Sequence, residues 1–144
     1  MPDSEDTNMV IEPKVRGFIC TTAHPEGCKR AVQKQVEVAK KYAGKINVGK
    51  RVLVIGASTG YGLASRIALM FGGGCDTLGV MYEREARGIR TASAGWYNTA
   101  ALCEEAKKVG LYFKSINGDA FSDEIKTRTV EVIKRDLGKV DAVI

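Results

Sequence analysis

The sequence predicts an α/β fold in which helices cover both faces of a doubly wound, parallel sheet. Strand-like apolar runs alternate with segments of helical periodicity from residue 51 to residue 144, which is the order of parallel βαβ units. The first run, RVLVIG at 51–56, is typical of a strand buried on both faces. A glycine-rich turn follows it and leads into a helix. Right-handed crossovers would place the four predicted strands in the spatial order 3-2-1-4.

Two elements precede this sheet in the chain. The segment KVRGFICT at 14–21 has the β-branched and aromatic content of a short strand. A helical pattern begins at Pro25, which suits a first helical turn, and runs to about residue 42, shortly before Gly44. Its apolar stripe consists of Ala31, Val32, Gln35, Val36 and Ala39.

The elements of the sheet follow in order. After strand 51–56 we expect a helix at 60–71, a strand at 77–83, a helix at 96–109, a strand at 111–117, a helix capped by Ser122 that runs to about 137, and a strand at 140–144. Three parts of the chain result: a loose N-terminus at 1–12, an N-terminal strand and helix at 13–49, and the N-terminal half of a dinucleotide-binding Rossmann domain at 50–144. Because strand 140–144 is apolar to its last residue, we expect a fragment truncated after the fourth strand.

Composition and charge exclude several classes of protein. The content of 44% hydrophobic and 27% charged residues is ordinary for a globular domain. No apolar run approaches the roughly 20 residues that span a bilayer, and residues 1–8 hold three acids and no base, unlike a targeting peptide. The net charge of +5 comes from basic residues interleaved with acids, which does not favour nucleic acid. We therefore expect a cytoplasmic protein with neither a membrane nor a nucleic-acid partner.

One set of possible metal ligands needs consideration. Cys20, His24 and Cys28 are four residues apart, a spacing that would align them on a helix. Pro25 disfavours helical backbone at His24, and no fourth ligand lies nearby in the sequence. We therefore expect no metal site, and interpret the cysteines as reduced, partly buried thiols.

The turn after strand 51–56 carries the pattern of a dinucleotide site. Its glycines are Gly56, Gly60 and Gly62, and they lie between a strand and a helix, which is the context that such a motif requires. Glycines allow a tight turn and a close approach of the backbone to a pyrophosphate. The N–H groups at the start of the helix then face the phosphate oxygens. The alternative is a glycine-rich βα turn with no ligand.

Residues after the next two strands complete this prediction. Glu83 lies 27 residues beyond Gly56, where an acid accepts hydrogen bonds from ribose hydroxyls and selects NAD(H) over NADP(H). Arg84 and Arg87 leave NADP(H) open, since a guanidinium can accommodate a 2′-phosphate; alternatively, Glu83 is an exposed carboxylate at a strand end. Asp119 and Ala120 follow the third strand and could bind adenine, or Asp119 could shape the turn before Ser122.

Several longer motifs carry a family resemblance. They are KVRGFICTTAHPEGC at 14–28, VIGASTGYGLA at 54–64, AGWYN at 94–98 and SINGDAFSDE at 115–124. The glycine spacing is similar to that of the short-chain dehydrogenase/reductases, and the longer motifs resemble the FabV-type enoyl reductases, also called trans-2-enoyl-CoA reductases. The resemblance extends from about Met9 to Ile144.

The resemblance implies an NADH-dependent enzyme of fatty-acid biosynthesis that reduces the trans-2 double bond of enoyl-ACP or enoyl-CoA. It implies contacts with NADH from Gly56, Ala57, Ser58, Thr59, Gly60 and Tyr61, contacts with adenosine from Tyr82 and Glu83, and contacts with adenine from Asp119 and Ala120. It further implies a monomer of nearly three times this length.

The catalytic residues implied by the family are absent from this chain. The family uses a Tyr followed nine positions later by a Lys, and none of the five tyrosines here has a Lys nine or four positions on. We therefore expect no catalytic residue in this chain and no activity from it alone. The alternative is a non-catalytic nucleotide-binding or regulatory module.

Overall fold

The computed structural model describes residues 10–144, so most of the predicted loose N-terminus, 1–9, lies outside the described residues. In chain order the elements are β1 (Val15–Arg16), β2 (Ile19–Cys20), α1 (Pro25–Lys40), β3 (Arg51–Ile55), α2 (Gly60–Ile67), β4 (Asp76–Met81), α3 (Ala94–Lys108), β5 (Phe113–Asn117), α4 (Asp123–Val132) and β6 (Ala142–Val143). Short π-helical segments, Ala68–Gly72 and Ile133–Leu137, extend α2 and α4.

The central sheet has the predicted topology. Its order is β5-β4-β3-β6, and every neighbouring pair is parallel. This confirms the spatial order 3-2-1-4 that right-handed crossovers require. The last strand, Ala142–Val143, is shorter than predicted, although the neighbouring residues Asp141 and Ile144 also form main-chain hydrogen bonds with β3.

The first predicted strand is instead a β-hairpin. β1 and β2 are antiparallel and are joined by a two-residue turn, with Val15 opposite Cys20 and Arg16 opposite Ile19. Gly17, the first turn residue, has φ of +63°, which is the conformation that a type II′ hairpin turn needs at this position. The prediction of one continuous strand at 14–21 was therefore wrong, since it overlooked what Gly17 permits.

Helices pack on both faces of the sheet. Val32 and Val36 of α1 share one buried cluster with Ile67 of α2 and Leu102 of α3. Successive residues of β3 face opposite sides, since Val52 and Val54 pack with Leu69, whereas Leu53 packs with Ile125 and Val132 of α4. The predicted stripe of α1 is thus buried at Val32, Val36 and Ala39, but Ala31 and Gln35 are exposed.

A buried arginine joins α2 to the sheet. Arg66 is 1% exposed, and its guanidinium donates to Thr77 Oγ1 (3.0 Å), Ser115 Oγ (2.9 Å) and the carbonyl oxygen of Lys114 (2.7 Å). It also lies 3.8 Å from the centroid of the Phe113 ring. Burial lowers the pKa of Arg66 to about 9, so the group remains protonated at neutral pH. These hydrogen bonds offset part of the cost of burying the charge.

Asp141 fixes β6 against β3. Its carboxylate accepts hydrogen bonds from the N–H groups of Lys50 and Arg51, both at 2.9 Å, and pairs with the Arg51 guanidinium at 3.3 Å. These donors, the N–H of Lys50 first, lower the pKa of Asp141 from 3.8 to about 2. Because the folded chain favours the ionised form, the resulting stabilisation is present above the unfolded pKa and is lost as the pH falls through the folded value.

We expect Asp141→Asn to lower the melting temperature at pH 7, because an amide accepts these hydrogen bonds less strongly than a carboxylate. The difference from wild type should shrink as the pH falls from about 4 to about 2. Circular-dichroism melts at several pH values measure this difference, with Glu37→Gln on the exposed side of α1 as the control. A difference that stays constant over this pH range would contradict the role of the Asp141 carboxylate.

Candidate functional site

The turn between β3 and α2 depends on glycine at three positions. Gly56 and Gly60 have φ of +74° and +51°, where L side chains are strained, and a Cβ at either position would meet no atom within 4 Å. A Cβ on Gly62 would lie 2.1 Å from the carbonyl oxygen of Gly56. The N–H groups of Gly56 and Ala57 both donate to the carbonyl oxygen of Val80 on β4, at 2.9 and 3.0 Å. The turn is therefore held at the carboxyl end of the sheet, with open space beside two of its glycines.

The N-terminus of α2 has no side-chain cap. Thr59 occupies the N-cap position with extended backbone, φ −146° and ψ 170°, and its side chain accepts no hydrogen bond from the helix. By contrast, His24 caps α1 by accepting from the N–H of Gly27, and Ser122 caps α4 by accepting from the N–H of Ile125. The uncapped N–H groups and the positive end of the dipole of α2 together form an arrangement that binds phosphate.

The side chain of Glu83 is held by two hydroxyl groups. Glu83 lies two residues beyond the end of β4, not at its last position as predicted. Ser58 Oγ donates to Glu83 Oε1 at 2.5 Å, and Ser93 Oγ donates to Glu83 Oε2. The backbone of Glu83 is held as well, because its N–H donates to Asn117 Oδ1 at 2.8 Å and its carbonyl accepts from Asn117 Nδ2 at 2.9 Å. The carboxylate is thus fixed between the glycine turn and the residues before α3.

The start of α3 is shaped around this carboxylate. Ser93 is the N-cap of α3, but its side chain makes no capping hydrogen bond. A Cβ on Gly95 would lie 2.1 Å from Glu83 Oε1, so the missing side chain of Gly95 provides the space that the carboxylate occupies. Asn98 Nδ2 donates to the carbonyl oxygen of Ser58 at 3.0 Å, which joins α3 to the glycine turn. Without a capping side-chain hydrogen bond, a helix such as α3 is less stable by about 1 kcal/mol.

The predicted adenine-binding residues lie in the loop after β5. The carboxylate of Asp119 accepts from the N–H of Phe121 at 2.9 Å, and its carbonyl accepts from Ser122 Oγ at 2.8 Å. A cleft of about 340 Å³ lies at the carboxyl ends of the strands and brings together predicted residues from three loops. It is lined by Ile55, Gly56, Val80, Met81, Tyr82, Gly118, Asp119, Ala120 and Phe121. Asp119 therefore shapes its turn, as one of the two interpretations expected, and also faces the cleft.

The other predicted contacts differ in accessibility. Tyr61 and Tyr82 are 95% and 80% exposed, so their rings are accessible to a ligand. The side chains of Ala57 and Ser58 are buried, and the Ser58 hydroxyl is engaged by Glu83. A ligand at the turn would therefore meet the backbone of these two residues.

Four residues of the site were not predicted from the sequence. Ser93, Gly95 and Asn98 surround Glu83 or Ser58, and Asn117 pairs with the backbone of Glu83. Gly95 and Asn98 belong to a motif that carried the family resemblance, but spacing alone assigned them no contact. The predicted topology could have identified them, because residues at the carboxyl ends of β4 and β5 and residues before α3 meet at one edge of a parallel sheet.

Two further findings concern all of the described residues. No group of three or more His, Cys, Asp or Glu side chains among residues 10–144 is arranged to hold a metal ion. Within the same residues, no helix combines the length and apolar character needed to cross a membrane.

Comparison with known families agrees with this architecture. Residues 10–88 match the family described as the NAD(P)H binding domain of trans-2-enoyl-CoA reductase, and residues 90–144 match the trans-2-enoyl-CoA reductase catalytic region. The chain is 61% identical over 136 residues to the trans-2-enoyl-CoA reductase (NADH) of Ruminiclostridium cellulolyticum. It is 59% identical over 136 residues to the enoyl-(acyl-carrier-protein) reductase (NADH) of Pseudoalteromonas translucida. Each match covers 94% of this chain but 34% of the relative, so the chain spans about a third of their length.

Solved structures give the same result. The trans-2-enoyl-CoA reductase of Treponema denticola, solved in complex with NAD, is 45% identical and superimposes with a TM-score of 0.88 over 94% of this chain and 35% of its own. The trans-2-enoyl-CoA reductase of Clostridium acetobutulicum, solved in complex with NADH, is 41% identical, with a TM-score of 0.86 over 94% of this chain and 34% of its own. The resemblance carried by the sequence motifs is thereby confirmed, and the chain belongs to the trans-2-enoyl-CoA reductase family.

Proposed function

We propose that this chain is the NADH-binding part of a reductase that acts on the trans-2 double bond of enoyl-CoA or enoyl-ACP in fatty-acid biosynthesis. The observation that carries the proposal is the uncapped N-terminus of α2 beside the hydroxyl-held carboxylate of Glu83. An anion-binding helix start and a ribose-binding acid are the two features that a dinucleotide site of this fold requires. Membership of the reductase family supplies the reaction.

The residues present fit a dinucleotide. The open space beside Gly56 and Gly60 admits a pyrophosphate close to the backbone, where the N–H groups of α2 donate to its oxygens. Glu83 accepts hydrogen bonds from the adenosine ribose, because a carboxylate that receives two hydroxyl donors keeps further acceptor sites. Tyr82, Asp119 and Ala120 then contact the adenosine from the walls of the cleft.

The reaction needs groups that this chain does not supply. When bound, NADH provides the hydride that adds to the β-carbon of the enoyl thioester. The residues of this chain bind and orient the adenosine and pyrophosphate ends, whereas the Tyr and Lys implied by the family resemblance have no counterpart at the family spacing. The monomeric state, the cytoplasmic location and the boundary near residue 50 stay predictions.

Activity tests the proposal directly. The protein expressed from its native reading frame is expected to oxidise NADH when crotonyl-CoA is added, at a rate proportional to enzyme concentration. The 144-residue chain is expected to bind NADH weakly and to give no turnover. NADH binding without turnover by the native-frame protein would instead favour a non-catalytic nucleotide-binding module, and the absence of NADH binding would contradict both functions.

Cofactor preference tests the role of Glu83. We expect wild type to prefer NADH, and Glu83→Gln to narrow the NADH:NADPH ratio of kcat/KM by about tenfold, equivalent to about 1.4 kcal/mol of lost discrimination. The glutamine keeps one acceptor oxygen for one serine, presents an NH2 group to the other, and removes the charge that repels a 2′-phosphate. Glu83→Ala and Glu83→Ser should change the ratio in the same direction. Glu131→Gln, on the exposed side of α4, is the control. An unchanged ratio would show that Glu83 does not select the cofactor.

A matched pair of glycine variants tests the turn. Gly60 and Gly110 both have positive φ, +51° and +68°, and a Cβ at either position meets no atom within 4 Å. Alanine at either position should therefore lower the free energy of unfolding by a similar amount, about 1 kcal/mol. Only Gly60→Ala is expected to weaken NADH binding strongly, as measured by calorimetric titration beside thermal melts. The more disruptive Gly60→Val should likewise weaken NADH binding much more than it lowers thermal stability. An equal loss of NADH affinity in Gly60→Ala and Gly110→Ala would show that Gly60 is needed only for its backbone conformation.

A further inference from the structure

We propose that Ser93 is a positioning residue that sets cofactor specificity through Glu83. The proposal rests on the proposed function, because it assigns to Ser93 the task of holding the carboxylate that meets the adenosine ribose. Ser93 lies ten residues after Glu83 in the chain, at the other end of the loop that follows β4.

The hydrogen bonds of Ser93 close this loop. Its Oγ donates to Glu83 Oε2 and also accepts from the N–H of Arg84 at 3.0 Å. The N–H of Ser93 donates to the carbonyl oxygen of Arg84, again at 3.0 Å. One side chain therefore contacts both the carboxylate of Glu83 and the backbone of the residue that follows it. A displacement of Ser93 would move the acid and its strand end together.

The helix cap that Ser93 does not make supports this role. A serine at an N-cap normally accepts a hydrogen bond from a helix N–H, as Ser122 does for α4. Ser93 occupies the same position with a suitable extended backbone, φ −66° and ψ 155°, yet its side chain makes no capping bond. The hydroxyl is used instead to orient Glu83. The carboxylate of Glu83, which packs against Gly95, is a negative charge near the positive end of the dipole of α3.

Ser58 and Ser93 hold different oxygens of the same group. Ser58 donates to Oε1 and Ser93 donates to Oε2, so the two hydroxyls together determine the rotation of the carboxylate plane. Ser58 is part of the glycine turn, and a change there would alter the phosphate site as well. Ser93 lies outside that turn, so a variant of Ser93 separates the orientation of Glu83 from the binding of pyrophosphate.

The test compares dissociation constants for NADH and NADPH in the protein expressed from its native reading frame. The variants are Ser93→Ala, Ser93→Thr, Glu83→Gln and the double variant Glu83→Gln/Ser93→Ala, with fluorescence titrations for binding and thermal melts for stability. Ser93→Ala should lower the preference for NADH by about three- to tenfold, in line with the loss of one hydrogen bond to a charged group. Ser93→Thr keeps the hydroxyl and should retain the preference. If Ser93→Ala does not fold, Ser93→Gly replaces it, because glycine is accepted at an N-cap.

The double variant separates positioning from a structural role. If Ser93 acts through Glu83, adding Ser93→Ala to Glu83→Gln should change the NADH:NADPH ratio little further. A Ser93→Ala protein that melts at a lower temperature but keeps the wild-type ratio would overturn the inference, and so would an equal effect in both backgrounds. Failure of the proposed function would give a different result. Either wild type would not bind NADH, or Glu83→Gln would leave the NADH:NADPH ratio unchanged. In both cases the inference about Ser93 would fail together with the proposed function.

Discussion

The carboxylate of Glu83 connects the parts of the chain that form the candidate site. Through Ser58 it is joined to the glycine turn after β3, and through Ser93 to the start of α3, while its own backbone is paired with Asn117 at the end of β5. These residues are far apart in the sequence and meet because parallel strands end at the same edge of the sheet. The site therefore depends on the registers of β3, β4 and β5, which the core beneath them fixes.

The helices differ in how their N-termini are capped. At this edge α2 and α3 have an N-cap residue with no capping side-chain hydrogen bond. The helix α4, which begins just after the cleft residue Phe121, is capped by Ser122, and α1 is capped by His24. Elsewhere the sheet is reinforced by polar contacts such as those of Arg66, which joins α2 to β4 and β5. The uncapped start of α2 is what a site for an anion needs, because a capped N–H group is no longer available as a donor. The start of α3 already has the carboxylate of Glu83 beside it.

The elements of the sheet could be predicted from the sequence because each of them has a local signal. Continuous apolar runs, helical periodicity and glycine stops predicted the strands, the helices and the strand order, and the spacing of Gly56 and Gly60 predicted the turn. The turn of the hairpin at 15–20 was missed because the strands on either side of Gly17 have two residues each, which is too few to show where one strand ends and the next begins. Ser93 and Asn98 were missed for a different reason, since their partners are 10 and 40 residues away in the chain and no local pattern reports such a distance.

The groups that hydrogen-bond to the carboxylate of Glu83 determine whether it can discriminate between NADH and NADPH. Two arginines in the following loop, Arg84 and Arg87, are exposed, and a guanidinium paired with Glu83 would have neutralised the charge and favoured a 2′-phosphate. The side-chain donors that the structure places on the carboxylate, within residues 10–144, are instead the hydroxyls of Ser58 and Ser93, and Arg84 meets Ser93 through its backbone. Neutral donors fix the position of a charge without cancelling it. A carboxylate held in this way is both an acceptor for a ribose hydroxyl and a repulsive group for a phosphate, which is the combination that discrimination between the two dinucleotides requires.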